Sequence, residues 1–285
     1  MGLVRTLIDC DEVYAEASLT QELKELYDGD LHFSTSSAAR PFVIANFVST
    51  LDGVVSYEIK GESGGSTISG SDPADRFIMG LLRASADAIM VGSGTLHDLS
   101  AKSLWTPEYV YPDAKKLYAE YRVSAQHKPE YPLLVIISGS GRLELNRAIF
   151  QTPAMHTAVI TTSAGRDELT RRGAESPGSL EIHVLDSSNG SIAPLAILQL
   201  LQSQFGVKTV LHEGGPTLFG QFLAAEAVDE LFLTQSPQIA GRKGDGTRPG
   251  VVQGVEFAPE SAPRFQMVSA KQNASYLYLR YRRWN

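Results

Sequence analysis

The sequence predicts an α/β fold: a mainly parallel central sheet flanked by helices, with an antiparallel edge at its C-terminal end. Three observations carry this. From residue 41 onward, short runs rich in Val, Ile and Leu alternate with amphipathic segments, the pattern of successive βαβ units. Several amphipathic segments open on Pro or an acid and close on Gly, as helices do. The last two apolar runs, "RFQMVSAKQ" and "SYLYLRYRR", have no helical segment between them, so they pair antiparallel.

The elements follow in order. Residues 1–40 read as an N-terminal helical arm and linker. Val13, Leu19, Leu23 and Leu26 fall at near-helical spacing, and "DGDLHFSTSSAARP" is polar and small. Residues 41–285 read as one domain. "PFVIANFVSTLDGVVSY" predicts a strand, a turn at Asp52-Gly53 and a second strand. A helix follows from Asp72. Asp72 suits the N-cap, Pro73 the first helical position, and Asp75 the positive end of the dipole. Phe77, Ile78, Leu81 and Leu82 supply its apolar stripe. Ala88 to Val91 is a buried strand ending at Gly92. "YPDAKKLYAEYR" predicts a helix, "PLLVIISG" and "HTAVITTS" strands, "AGRDELTRRG" a helix and "LEIHVLD" a strand. "IAPLAILQLLQSQFG" is a helix closed by Gly206. "VKTVLH" is a strand, "HEGGPTLFGQFLAAEA" a turn and helix, and "ELFLTQSPQIAG" a further strand.

Composition narrows the function. The chain has 285 residues, 43% of them apolar, and a net charge of −7. That balance argues against nucleic acid or an anionic membrane as partner and leaves room for a small-molecule substrate. Cys10 is the one cysteine, which excludes an internal disulfide and a cysteine-rich zinc site. No apolar run approaches the roughly 18 residues of a membrane span, and acids occupy the place of a signal-peptide core. The expected location is cytoplasmic.

Two glycine turns stand out. In "VLHEGGPTLFGQ", Gly214 and Gly215 leave backbone amides open ahead of a helix that begins at Pro216. This is a ready anion site or a plain strand-to-helix connection. In "MVGSGTLHD", Gly92-Ser93-Gly94-Thr95 also follows a buried strand, where open α/β sheets bind ligands. The third glycine of the dinucleotide fingerprint is missing there, which argues against an ordinary Rossmann domain. Glu213 sits directly before the first glycine pair, where it would repel a phosphate. Arg83 is either a helix-end arginine or a ligand to the site. His97 and Asp98 are catalytic or simply solvated, and His212 reads by default as a structural histidine. "GESGG" at Gly61–Gly65 matches the nucleophile elbow but lacks the strand directly before and the helix directly after it, so it reads as a mobile polar loop. Metal-ligand spacing is not evident.

Taken together, "NFVSTLDG", "LLRASADAIMVGSGTL" and "HEGGPTLFGQFLAAEAVDELFL…IAG" resemble the RibD C-terminal family of riboflavin biosynthesis, in order and with fitting spacing from about Pro41 to Arg282. The resemblance implies a dihydrofolate-reductase-like fold, a homodimer, and NADPH-dependent reduction of the ribosylamino group of a pyrimidine ribose phosphate to ribitylamino. It implies cofactor contacts at Ser49, at Gly92, Ser93, Gly94 and Thr95, near Gly139, Thr161 and Thr162, and at Gly214, Gly215, Pro216, Thr217 and Leu218. It places Arg83 and Glu213 on the substrate, which resolves the misplaced acid: the amides face the cofactor and the carboxylate faces the substrate. Asp98 stands where the family has the first Asp of its "D-D-P-x-L-T-x-R" segment. That segment's Arg has no counterpart before Arg122, so Lys102 or Lys128 is a candidate for the phosphate. Arg142 and Arg166 are candidates for the cofactor 2′-phosphate. Two other readings stay open: a reductase acting on dihydrofolate or another pterin, and an NADPH-binding paralogue without turnover.

Overall fold

The computed structural model describes residues 2–11, 19–33, 39–59, 64–98, 100–173, 180–188, 191–244 and 248–284. Its strands are β1 (Arg5–Asp9), β2 (Phe42–Ser49), β3 (Ala88–Gly92), β4 (Leu133–Ser138), β5 (Thr157–Thr161), β6 (Leu180–Val184), the short pair β7 (Ser187–Ser188) and β8 (Ser191–Ile192), β9 (Thr209–His212), β10 (Glu230–Gln235), β11 (Phe265–Asn273) and β12 (Tyr276–Arg283). Its α-helices are α1 (Gln21–Tyr27), α2 (Gly64–Ser69), α3 (Pro73–Ser85), α4 (Ser93–Asp98), α5 (Pro107–Val110), α6 (Lys115–Ala119), α7 (Ala148–Gln151), α8 (Ser163–Arg171), α9 (Pro194–Phe205) and α10 (Pro216–Ala224).

Ten strands form one sheet in the order β1-β11-β12-β10-β2-β9-β3-β4-β5-β6. From β10 to β6 every neighbouring pair is parallel. The edge β10-β12-β11-β1 is antiparallel, as the missing helix between the last two runs predicts. Parallel strands buried on both faces read as continuous apolar runs, and β2 shows why. Phe42 and Ile44 enter the core on one face, with Phe77, Ile78 and Leu81 of α3. Val43, Ala45 and Phe47 enter the core on the other, with Ile197, Leu198 and Leu201 of α9 and Phe219 and Phe222 of α10.

The local rules hold where their cause is local. The Asp72 side chain accepts from the Asp75 amide at the head of α3, and Pro73 opens the helix. Gly206 closes α9 in the left-handed region.

Four segments differ from expectation. "DGVVSY" forms no second strand: Val54 makes a lone bridge to Gly250, and Val54 and Val55 are buried as core plugs. Asp52 turns the chain there, accepting from Thr50 Oγ1 (2.6 Å), the Ala240 amide (3.0 Å) and the Gly241 amide (2.8 Å). Residues 61–63 lie outside the described residues, and a helix, α2, starts at Gly64 because Ile68 anchors it against Val48 and Val54. "YPDAKKLYAEYR" splits into a 3-10 turn (Pro112–Ala114), α6 and a π turn (Glu120–Ala125). Tyr118 of α6 is buried, as are Tyr121 and Arg122 of the π turn, and the wider π turn brings the latter two inward together.

The segment ahead of Pro41 also differs. Arg5–Asp9 is an edge strand on β11. Leu19, Leu23, Tyr27 and Leu31 are buried in the α3-side core. Residues 12–18, with Val13, lie outside the described residues.

Candidate active site

Strands β2, β9, β3, β4 and β5 are neighbours and parallel, so their carboxyl ends lie along one edge. Ser49, Glu213–Gly215, Gly92–Thr95, Gly139 and Thr161–Thr162 all follow from those ends. At about 4.8 Å per strand, the row is about 19 Å long, a length suited to an extended dinucleotide.

The two glycine turns adjoin. A Cβ at Gly215 would sit 3.7 Å from Thr95 Oγ1. One at Gly214 would sit 2.8 Å from Leu218 Cδ2, 3.1 Å from His212 Cε1 and 3.5 Å from the Gly92 nitrogen. A side chain at Gly214 would therefore crowd Leu218 and His212, and one at Gly215 would stand in contact with Thr95. The Glu213 amide donates to Met90 O (2.9 Å), which fixes this turn to β3 just ahead of the other. Gly215 is the N-cap of α10 and no side chain caps it, so the first-turn amides at Thr217 and Leu218 are available at the positive end of the helix.

Beside this cradle lies a cavity of about 730 Å³. One stripe of α3 forms a wall, with Asp75, Arg76, Met79 and Arg83. Glu213 and Trp105 face it. Arg83 and Glu213, 130 residues apart, make a bidentate pair: Nε donates to Oε1 (2.9 Å) and Nη2 to Oε2 (2.7 Å). The side chains are only 6% and 9% exposed. Arg83 Nη1 donates to Thr106 O (3.2 Å), which fastens the guanidinium to the loop before α5. Arg83 is thus no solvent-facing helix-end arginine. It is paired with Glu213 in the wall of the cavity.

Other predicted residues fall into place differently. His212 is fully buried against Phe47, Phe219 and Phe222. Burial pushes its pKa down to about 4, so it is neutral and structural. His97 is exposed, 3.9 Å from Glu144. Asp98 closes α4, and its side chain lies outside the described residues. Ser49 ends β2, buried, with its carbonyl accepting from the Ser236 amide (2.8 Å). Lys128 is a correction. It pairs with Asp87 (2.9 Å), which precedes β3 at the opposite edge of the sheet, and cannot reach a phosphate in the cavity. Arg122 is excluded too: it is buried and donates to Ala84 O, Ala86 O and Pro129 O. Lys102 is exposed, beside the cavity residues Ser100 and Ser103.

At the far end of the row, Thr161 Oγ1 donates to Ser138 O (2.6 Å) and Thr162 Oγ1 to Gly139 O (2.8 Å). Thr162 also caps α8. A Cβ at Gly165 would stand 2.0 Å from Thr161 Oγ1 and 2.7 Å from Gly139 O. Gly165→Ala is therefore expected to force these two turns apart and lower Tm by several degrees. A thermal unfolding curve with an unchanged midpoint would refute the packing.

Asp75 stands in the first turn of α3, as the sequence predicts, but its burial (5% exposed) and its place in the cavity wall were not read from the sequence. The signal was present: Asp75 lies three and seven residues before Ile78 and Leu82, on the apolar side of α3. Arg76 and Trp105 had no sequence signal.

Comparisons with known proteins agree with one another. The profile of the RibD C-terminal domain matches residues 41–276. A 2,5-diamino-6-ribosylamino-4(3H)-pyrimidinone 5′-phosphate reductase of Archaeoglobus fulgidus is 29% identical over 214 residues, 73% of this chain and 85% of that protein. A pyrimidine reductase-like protein of Corynebacterium diphtheriae superposes with TM-score 0.65 at 19% identity, covering 92% of this chain and 99% of that one. Acinetobacter baumannii RibD superposes with TM-score 0.61 at 22% identity over 87% of this chain. The chain spans about three fifths (59%) of the length of that RibD structure. Among the described residues, no helix is long and apolar enough to cross a membrane.

Proposed function

The chain belongs to the RibD C-terminal domain family, and on that premise we propose that it is an NADPH-dependent reductase. Its substrate is the ribosylamino group of an aminopyrimidine ribose phosphate, which it reduces to ribitylamino as in riboflavin biosynthesis. The reductase domain is 41–285, and the working unit is a homodimer in the cytoplasm. The observation that carries the reading is the division at residues 213–215: the carboxylate enters the cavity, and the glycines after it bare the amides of α10 beside the Gly92–Thr95 turn.

The cradle that any Cβ at Gly214 or Gly215 would narrow fits a pyrophosphate, with Gly92, Ser93, Gly94, Thr95, Pro216, Thr217 and Leu218 around it. Ser49 lies toward the nicotinamide and Gly139, Thr161 and Thr162 toward the adenosine. Arg142 and Arg166, both exposed just past β4 and β5, serve the 2′-phosphate. NADPH, when bound, supplies the hydride. The chain does the rest. Glu213 is acceptor-only and takes the N–H donors of the pyrimidine edge. Arg83 holds that carboxylate in one orientation, so the sugar carbon is presented in one place. Phe47 and Trp105 keep the cavity wall apolar.

NADPH at 100 times its Kd should stabilise the protein by about 2.7 kcal/mol, a rise in Tm of a few degrees, and NADPH absorbance should fall when the aminopyrimidine ribose phosphate is added. Absence of thermal protection at saturating NADPH would remove the cofactor assignment. Protection without turnover on this substrate, together with turnover on dihydrofolate, would move the substrate to the pterin class.

A further inference from the structure

The proposed reduction has a proton requirement that Glu213 does not meet. Opening of the ribosylamine ring moves the N–H proton to the ring oxygen and leaves a C=N bond. Hydride adds to the sugar carbon, the π electron pair goes to nitrogen, and nitrogen takes one proton. Both oxygens of Glu213 already accept from Arg83, and an ion-paired carboxylate holds no proton to give.

We propose that Asp75 is the catalytic acid that delivers this proton, its carboxylate then being reprotonated from water at the cavity mouth. The proposal rests on the reductase reading above.

Three features of the fold place it. First, Asp75 and Arg83 lie on the same cavity-facing stripe of α3. Eight residues at 1.5 Å per residue separate them by about 12 Å along the helix. A substrate whose pyrimidine edge meets Glu213 therefore extends its sugar along the wall toward Asp75. Second, Asp75 is hydrogen-bonded to Thr234 of β10, and Thr234 pairs in register with Val48, next to Ser49 at the end of β2. The acid thus sits at the end of the row assigned to the nicotinamide. Third, Asp75 has no structural duty as a cap. Asp72 already caps α3 by accepting from the Asp75 amide (2.9 Å). The Asp72 amide donates to Ser69 O (3.1 Å), so no donor is left for Asp75 to close a capping box.

The surroundings favour a carboxyl that keeps its proton. Its pKa is raised to about 6, with burial the largest influence and the Asp72 carboxylate at the N-cap of α3 acting in the same direction. Hydrogen bonds from Thr234 of β10 and Ser69 of α2, and the charge of Arg76, pull the other way. From β12, Tyr278 donates to Asp72 Oδ1 (2.6 Å) and Tyr276 to Ser69 O (3.0 Å). Burial raises the Tyr278 phenol well above its usual range, so it stays a donor. A general acid works best with a pKa near the operating pH, and an acid in a cleft with such a shift is a functional candidate on physical grounds.

The test uses the whole chain, NADPH and the aminopyrimidine ribose phosphate. In the wild type, kcat/KM should fall as pH rises through about 6. Asp75→Asn should lower kcat/KM by about 10²–10⁴-fold, the usual contribution of a general acid, and abolish that limb. Its NADPH dissociation constant, read by fluorescence, should stay within about threefold. Thr234→Val, which deletes a bond that favours the charged form, should shift the limb to higher pH. Without substrate, the folded wild type binds a proton at Asp75 more tightly than the unfolded chain does. That contribution to wild-type stability is therefore lost as pH rises from about 4 to about 6, and the Tm of Asp75→Asn should gain on the wild type over that window. A loss under tenfold, or a wild-type limb retained in Asp75→Asn, would overturn the assignment. A wild type that binds NADPH but never turns over would overturn the reductase reading and this acid with it.

Discussion

Glu213→Gln should reduce kcat/KM with the aminopyrimidine substrate by at least about 100-fold while changing the NADPH dissociation constant by less than about threefold. A hundredfold loss is about 2.7 kcal/mol of transition-state stabilisation, within reach of removing one hydrogen bond to a charged group. The amide also presents a donor to the N–H edge it should accept from. The cofactor cradle consists of backbone at Gly214, Gly215 and Gly92, none of which the substitution alters. Stability should fall as well, because Arg83, 6% exposed, keeps its charge and loses its partner. Breaking a buried pair from one side costs about 3 kcal/mol or more, roughly 6–12 °C in Tm for a mid-sized domain and toward the lower end for 285 residues. The double variant Arg83→Met/Glu213→Leu separates the two effects. It should recover most of the lost Tm, since an apolar replacement of a buried pair is often neutral, yet stay inactive. If it regains activity, Glu213 is a structural residue. If Glu213→Gln abolishes NADPH binding, the carboxylate faces the cofactor instead.

Glu230→Leu should produce the largest loss of stability away from the site. Glu230 is fully buried on β10 and accepts from Arg280 Nε (2.8 Å) and Nη2 (3.1 Å) and from Arg282 Nε (2.8 Å). Asp11 takes the other side, accepting from Arg280 Nη1 (2.7 Å) and Arg282 Nη2 (3.0 Å), and Arg280 Nη2 donates to His32 O (2.7 Å). The cluster fastens the segment ahead of Pro41 to the antiparallel edge. Without Glu230, Arg280, only 3% exposed, is left with one carboxylate in place of two. The expected cost is about 3–5 kcal/mol, a Tm drop of roughly 6–15 °C, with faster amide exchange in β1. Activity per folded molecule at low temperature should persist, because the cluster lies apart from the cavity. A Tm within about 2 °C of wild type would show that the network is dispensable.

Much of the fold is legible without coordinates. Alternating apolar runs and capped amphipathic segments specify the α/β class, because backbone preference and the side to be buried are set by neighbours within a few residues. Gly214-Gly215-Pro216 and Gly92–Thr95 are readable for the same reason: a glycine turn before a helix is a local device, and the order of the strands makes two such devices meet. The exceptions are instructive. Val54 and Val55 have strand chemistry but plug a core, and Arg122 has the chemistry of a phosphate ligand but holds three backbone carbonyls. In both, a tertiary contact overrode local preference. The sequence by itself determined the class of fold, the glycine cradle and the acid beside it. Only the tertiary structure decided that Arg83 clamps that acid from 130 residues away, that Lys128 belongs to the wrong edge of the sheet, and that Asp75 is a buried carboxyl in the cavity. The physical reason is that a charge's partner and its exposure to water depend on which distant segments pack against it, and a linear pattern carries only the preferences of each segment taken alone.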